Sequence, residues 1–104
     1  MKTLEFLLLG KNEEILAILL RLVNAYEDWN AIAFNNEKEA QEYFQNHKID
    51  VVLLSSAIED HVEKEFASFC LKNQPDVEVI EHFGGGSGLL KSEILHRLHL
   101  KGKI

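Results

Sequence analysis

The chain has 104 residues, of which 46% are hydrophobic and 27% charged, and this balance is typical of one globular domain. A formal net charge of −6 disfavours binding to phosphate backbones, so the sequence does not predict a nucleic-acid partner. No apolar run approaches the roughly 18 residues that cross a bilayer, and we expect neither a membrane contact nor a signal peptide.

The first half of the chain alternates strand and helix patterns. Leu4–Leu9 is a continuous apolar run that ends at Gly10, which predicts a strand buried on both faces. Asn12 then caps a predicted helix whose apolar residues follow at helical spacing, namely Ile15, Leu16, Ile18, Leu19, Leu22 and Val23. Trp29–Phe34 has the pattern of a second strand, with the alanines and polar neighbours of an edge strand.

The second half repeats the alternation. Asn36, with Glu39 three residues later, has the spacing of a capping box, and the helix it begins runs to about Lys48. Further strands are predicted over residues 49–54 and 77–80, with a helix over about 63–72 between them. Cys70 lies on the apolar side of that helix, which predicts a buried structural thiol. A last helix carries Leu89, Leu90, Ile94, Leu95 and Leu98.

Four strand–helix repeats with short connections predict a parallel sheet with helices on both faces. The predicted fold is therefore α/β and flavodoxin-like, a three-layer α/β/α arrangement of one domain over residues 1–104. Its sheet is truncated, mostly parallel and four-stranded. The two most apolar strands, Leu4–Leu9 and 49–54, are expected at its centre.

Three segments, at residues 7–15, 50–55 and 74–80, resemble the receiver domain of response regulators. Residues 50–55, DVVLLS, resemble the third strand of that family, which normally reads D-x-V-L-L-D. Residues 7–15, LLLGKNEEI, resemble its first strand and loop, where two acids normally follow the strand. Residues 74–80, QPDVEVI, resemble the usual P-D-x-P-V-I entry to the fourth strand. The resemblance covers about the first 80 residues and implies a receiver-like fold.

The functional residues of that family do not carry over. A working receiver holds a divalent cation with the acids after its first strand, beside an aspartate that accepts phosphate. The resemblance places Gly10 and Lys11 at the acid pair and Ser55 at the phosphoacceptor. A hydroxyl cannot form the acyl phosphate, and lysine cannot ligate a hard cation. The family's fifth strand has no counterpart. The resemblance thus implies a pseudo-receiver that is not an enzyme, needs no cofactor or metal, and binds other proteins.

A glycine-rich run follows the fourth strand, formed by Gly84, Gly85, Gly86, Ser87 and Gly88. Backbone N–H groups between a strand and a helix are well placed to bind an anion or nucleotide. The run lacks the ending of a P-loop and the spacing of a dinucleotide site. Two other interpretations remain open, a turn that replaces deleted elements and a surface that docks a partner.

Two further features concern assembly and metal. Without a fifth strand, residues 77–80 form a sheet edge, so a homodimer is expected to bury this edge and the last helix. The alternative is that the loop over 84–88 covers the edge. Glu93 and His96 have the spacing of one half of a di-metal motif, but a single copy does not predict a metal site.

The sequence therefore favours a cytoplasmic, phosphorylation-independent signalling module of a two-component type that acts through protein contacts. The competing hypothesis is a small anion- or nucleotide-binding domain that uses the glycine-rich run.

Overall fold

A computed structural model describes residues 3–55 and 58–83 of the chain. It contains seven elements, which are β1 (Leu4–Leu9), α1 (Glu13–Asn24), β2 (Trp29–Phe34), α2 (Glu37–Asn46), β3 (Val51–Ser55), α3 (Asp60–Asn73) and β4 (Glu78–Phe83). The first two strands have the predicted bounds, and every other element within the described part lies within a few residues of its prediction. The last predicted helix lies outside the described residues.

Side chains cap the first two helices as the sequence predicted. The Asn12 side chain accepts hydrogen bonds from the backbone N–H groups of Glu14 and Ile15, at 3.0 and 3.1 Å. Asn36 does the same for the start of α2. Each cap satisfies N–H groups that the first helical turn leaves without an intrahelical partner.

The start of β3 differs from the prediction, and the two residues before it make different hydrogen bonds. The Ile49 N–H donates to the side-chain oxygen of Gln74 at 3.0 Å rather than to a strand. Asp50 follows, and its carboxylate accepts a hydrogen bond from the Glu5 N–H at 2.9 Å. The Asp50 backbone still bonds to both neighbouring strands, since its N–H donates to the Glu5 carbonyl at 2.8 Å and its carbonyl accepts from the Glu78 N–H at 3.0 Å. The strand itself begins at Val51, two residues later than the apolar run suggests.

The four strands form one parallel sheet in the order β2-β1-β3-β4. This order places the two most apolar strands at the centre and β2 at an edge, as predicted. The register between β3 and β4 shifts between Leu53 and Ser55. The result is the flavodoxin-like α/β arrangement that the strand–helix alternation predicted.

Alternate residues of the central strands separate the core into two layers. Phe6 and Leu8 pack with α1 on one face of the sheet, while Leu7 and Leu9 pack with α2 and α3 on the other. Side chains of α2 and α3 that fill the second layer include Ala40, Phe44, Phe66, Ala67 and Cys70. Burial raises the pKa of the Cys70 thiol to about 12, so this cysteine is a structural thiol, as predicted.

The outer edge of β2 is partly closed by a side chain of α1. The Leu4 N–H donates to the Asp28 carbonyl, which fixes the pairing of β1 with β2. The backbone N–H and carbonyl groups of the even-numbered residues of β2 therefore point toward β1, and those of the odd-numbered residues point away from the sheet. The side chain of Asn24 engages the outward backbone groups of Ala31. Its oxygen accepts from the Ala31 N–H at 2.8 Å, and its amide donates to the Ala31 carbonyl at 3.4 Å. At this position the edge cannot accept another strand.

Candidate functional site

The ends of β1 and β3 meet at the carboxyl edge of the sheet, where ligand sites of open α/β sheets lie. Gly10 follows β1 and Ser55 ends β3, and the pairing of Leu9 with Leu54 brings them side by side. A Cβ atom at Gly10 would lie 2.8 Å from the Ser55 Cβ and 3.3 Å from its Oγ. Real Cβ atoms do not approach so closely, so this position accepts no side chain while Ser55 stays in place.

The Ser55 side chain is buried beneath this contact, with 1% of its surface exposed. Its Oγ makes no hydrogen bond with any residue that the structure describes. A buried hydroxyl without a partner typically costs about 1–3 kcal/mol. The hydroxyl is enclosed between the two strand ends and is not presented to solvent.

Lys11 connects the loop after β1 to the loop after β2. Its Nζ donates to the Asn35 carbonyl at 3.0 Å and lies 2.8 Å from Oε1 of Glu37. The hydrogen bond from Lys11 holds the pKa of the Glu37 carboxyl below its usual value of 4.5, with its positive charge contributing further. The ammonium group therefore has partners within the chain.

Glu13 is likewise engaged at this edge, because its Oε1 accepts from the Asn35 side-chain amide at 2.8 Å. Among the side chains of residues 3–55 and 58–80, no group of three or more His, Cys, Asp or Glu lies close enough to hold a metal ion. The same part of the chain has no helix of the length and apolarity needed to cross a membrane.

Solved structures resemble this arrangement over nearly its whole length. The signal receiver domain of a Vibrio parahaemolyticus protein named as a Luxo repressor superposes with a TM-score of 0.79 at 11% identity, covering 96% of this chain and 93% of that one. The non-phosphorylated HemR receiver domain from Leptospira biflexa gives a TM-score of 0.68 at 16% identity, with coverages of 98% and 96%. The fold is that of a receiver domain.

A third structure, an uncharacterized protein from Neptuniibacter caesariensis, gives a TM-score of 0.66 at 24% identity, covering 99% of this chain and 73% of that one. Neither a protein-family model nor a curated protein matches the sequence. The receiver-like fold is thus established by shape, while identities this low carry no residue roles with them.

Within this receiver-like fold, the three predicted degenerate positions come together at one edge. Gly10, Lys11 and Ser55 all lie at or just after the carboxyl ends of β1 and β3. The sequence indicated where they lie but not that Gly10 packs directly on Ser55. The predicted anion-binding run, Gly84, Gly85, Gly86, Ser87 and Gly88, lies outside the described residues, as do Glu93 and His96.

Gln74 is a polar residue whose role the sequence did not reveal. Besides accepting from Ile49, its side-chain amide donates to the carbonyls of Phe44 and His47, at 3.0 and 2.9 Å. It closes the end of α2 next to an open cavity of about 440 Å³ at the amino-terminal edge of β3. No local pattern signals this role, because its partners lie about 25–30 residues away.

Proposed function

We propose that this chain is a receiver-like signalling or regulatory module that works without phosphorylation and acts through contacts with other proteins. The observation that carries the proposal is the packing of Gly10 on the buried Ser55. The resemblance assigns one of these residues to the acid pair and the other to the phosphoacceptor. Their contact leaves neither a carboxylate nor space for one.

The chemistry at this edge agrees with the proposal. A serine hydroxyl cannot form the acyl phosphate on which a receiver switch depends. Lys11 contributes an ammonium where the family has a carboxylate, and this cation is already paired with Glu37. A positive charge held by the chain itself opposes the binding of a divalent cation at the same loop.

The test is exposure of the full chain to acetyl phosphate and Mg²⁺, followed by intact-mass measurement. We expect no phosphoryl adduct, while a receiver domain that has a phosphoacceptor aspartate, treated in parallel, gains one. We also expect no change in melting temperature with beryllofluoride and Mg²⁺. An adduct that disappears in the Ser55→Ala variant would overturn the proposal.

Assembly and location belong to the same proposal. We infer a cytoplasmic module without a nucleic-acid partner, and a homodimer that buries the edge of β4 and the last helix. Sedimentation equilibrium tests the dimer, and a single monomeric species at high protein concentration would contradict it. The anion-binding alternative stays a prediction. A melting-temperature increase with nucleotide or phosphate, lost in variants of Gly85 and Gly86, would favour it instead.

A further inference from the structure

A groove crosses the edge strand β2 close to its carboxyl end. It consists of two adjoining cavities that share Phe34 and Glu39 as lining residues. The α1-side cavity, about 300 Å³, has apolar walls from Leu16, Ala17, Leu20 and Ala33. The α2-side cavity, about 360 Å³, is lined in addition by Glu42, Tyr43, Asn46 and His47. The groove thus has an apolar part and a polar, aromatic part on either side of Phe34.

Three rings are in contact along the α2-side cavity. Tyr43 lies with its ring centroid 5.5 Å from that of Phe34, at an interplanar angle of 49°. His47 stacks on the other side of Tyr43 at 3.9 Å and 9°. The Nδ1 atom of His47 lies 3.0 Å from the Tyr43 carbonyl oxygen, which holds the imidazole in place. These contacts give the cavity a preformed aromatic wall.

The charged residues that line the groove are glutamates, and Lys11, which bonds to Asn35 at its margin, is paired with Glu37. The carboxylates of Glu13, Glu39 and Glu42 line the two cavities, and neither lining contains a lysine or arginine. On α2, the lining residues 39, 42, 43 and 46 recur at the three- and four-residue spacing of one helix face. Acidic side chains and an aromatic ring therefore face the same space.

Backbone pairing is blocked on both sides of the groove. Asn24 occupies the outward N–H and carbonyl of Ala31, and Lys11 occupies the carbonyl of Asn35. A partner at this edge cannot simply extend the sheet, because these groups are already bonded. Recognition here must depend on side chains that enter the two cavities.

From these observations we propose that the groove binds a basic segment of a partner protein, with an arginine in the α2-side cavity and an apolar residue in the α1-side cavity. Arginine fits better than lysine because its planar guanidinium stacks on aromatic rings and forms bidentate hydrogen bonds with carboxylates. The inference rests on the proposed function, since it names the surface and the chemistry of the partner.

In the test, the full ¹⁵N-labelled chain is titrated with a fluorescein-labelled peptide of alternating leucine and arginine. The amide shifts locate the bound peptide, and the fluorescence gives its affinity. Two further peptides replace arginine with lysine or with glutamate. We expect amide shifts centred on Phe34, Tyr43 and His47 with the arginine peptide, weaker binding with lysine, and none with glutamate. Binding should weaken as salt is added, because the carboxylates are at the surface.

Matched variants separate the groove from the general negative charge of the protein. Glu42→Lys removes a groove carboxylate, and Glu65→Lys makes the same change at an exposed position of α3. We expect Glu42→Lys to reduce the affinity for the arginine peptide by about tenfold, because the bound peptide would desolvate this carboxylate. Glu65→Lys should reduce it by no more than about twofold, because solvent screens that charge. Tyr43→Leu keeps an apolar side chain and should abolish the preference for arginine over lysine.

Equal weakening by Glu42→Lys and Glu65→Lys, or amide shifts that avoid the groove, would overturn the inference. If acetyl phosphate still gives no phosphoryl adduct, such a result would contradict only the groove as a binding site and would leave the proposed function standing. A phosphoryl adduct on Ser55 would instead contradict the proposed function, whichever peptide binds.

Discussion

The contact between Gly10 and Ser55 can be tested by adding a single methyl group. In the Gly10→Ala variant the new Cβ would lie 2.8 Å from the Ser55 Cβ and 3.5 Å from Cδ1 of Leu16. The first distance lies well inside van der Waals contact, and the opposing atom is attached directly to the backbone of a central strand. Relief therefore requires β1 and β3 to separate at their ends.

The expected cost follows from two opposing effects. Overpacking a well-packed site typically costs about 1–3 kcal/mol. Replacing glycine by alanine also restricts the unfolded chain, which returns about 0.4–1 kcal/mol. We therefore expect Gly10→Ala to lower the free energy of unfolding by about 1–2 kcal/mol. In a domain of this size, each kcal/mol corresponds to a decrease in melting temperature of about 4–8 °C.

Urea unfolding followed by tryptophan fluorescence measures this change, because Trp29 is buried and is the single tryptophan of the chain. The Ser55→Gly variant removes the opposing Cβ, so the double variant should recover much of the loss caused by Gly10→Ala. A double-mutant cycle then gives a coupling of about 1 kcal/mol. A Gly10→Ala variant as stable as the parent chain, or a coupling near zero, would refute the reasoning.

Three further predictions concern single interactions. Ser55→Ala removes a buried hydroxyl that has no partner among the described residues, and it should raise the free energy of unfolding by about 1 kcal/mol in urea titrations, whereas a loss would indicate a partner for that hydroxyl. Because Lys11 lowers the pKa of Glu37, their pair stabilises the fold above pH 4.5 and is lost as pH falls through the lower, folded value. Lys11→Met should reduce that pH dependence, leaving the part due to the backbone hydrogen bond that Glu37 accepts. The effect is worth at most about 1 kcal/mol for so exposed a pair, and an unchanged pH profile would contradict this. Asn24→Ala frees the backbone of Ala31, so we expect the free energy of unfolding to fall by about 1 kcal/mol. We also expect association beyond the oligomeric state of the parent chain in sedimentation velocity, and an unaltered distribution of species would argue against the edge-blocking role.

Local patterns predicted the elements of this fold because each pattern has a direct physical cause. The apolar run of β1 is continuous since both of its faces are buried, and Asn12 and Asn36 precede their helices because their side chains satisfy free N–H groups. Boundaries were less well predicted. Ile49 lies in the predicted strand, yet its N–H donates to the Gln74 side chain. Asp50 keeps backbone hydrogen bonds to Glu5 and Glu78, although the strand itself begins one residue later.

The candidate site was predictable only in part. The resemblance to receivers pointed to Gly10, Lys11 and Ser55, and it indicated which chemistry these residues cannot perform. It did not reveal that Lys11 pairs with Glu37, because that contact joins the loop after β1 to the first residue of α2, 26 positions later in the sequence. The groove at β2 was also missed, since its lining comes from three elements that each have an ordinary pattern.

By itself, then, the sequence determined the alternation of strands and helices, the caps of the first two helices and the parallel sheet. These properties depend on neighbouring residues and on periodicity, which a single chain displays directly. Only the tertiary structure shows that Gly10 packs directly on the buried Ser55 and that Asn24 blocks the outer edge of β2. It also shows that acidic and aromatic side chains line one groove beside that strand. Each of these depends on the distance between residues far apart in the chain, and that distance is fixed only when the two core layers pack against the sheet.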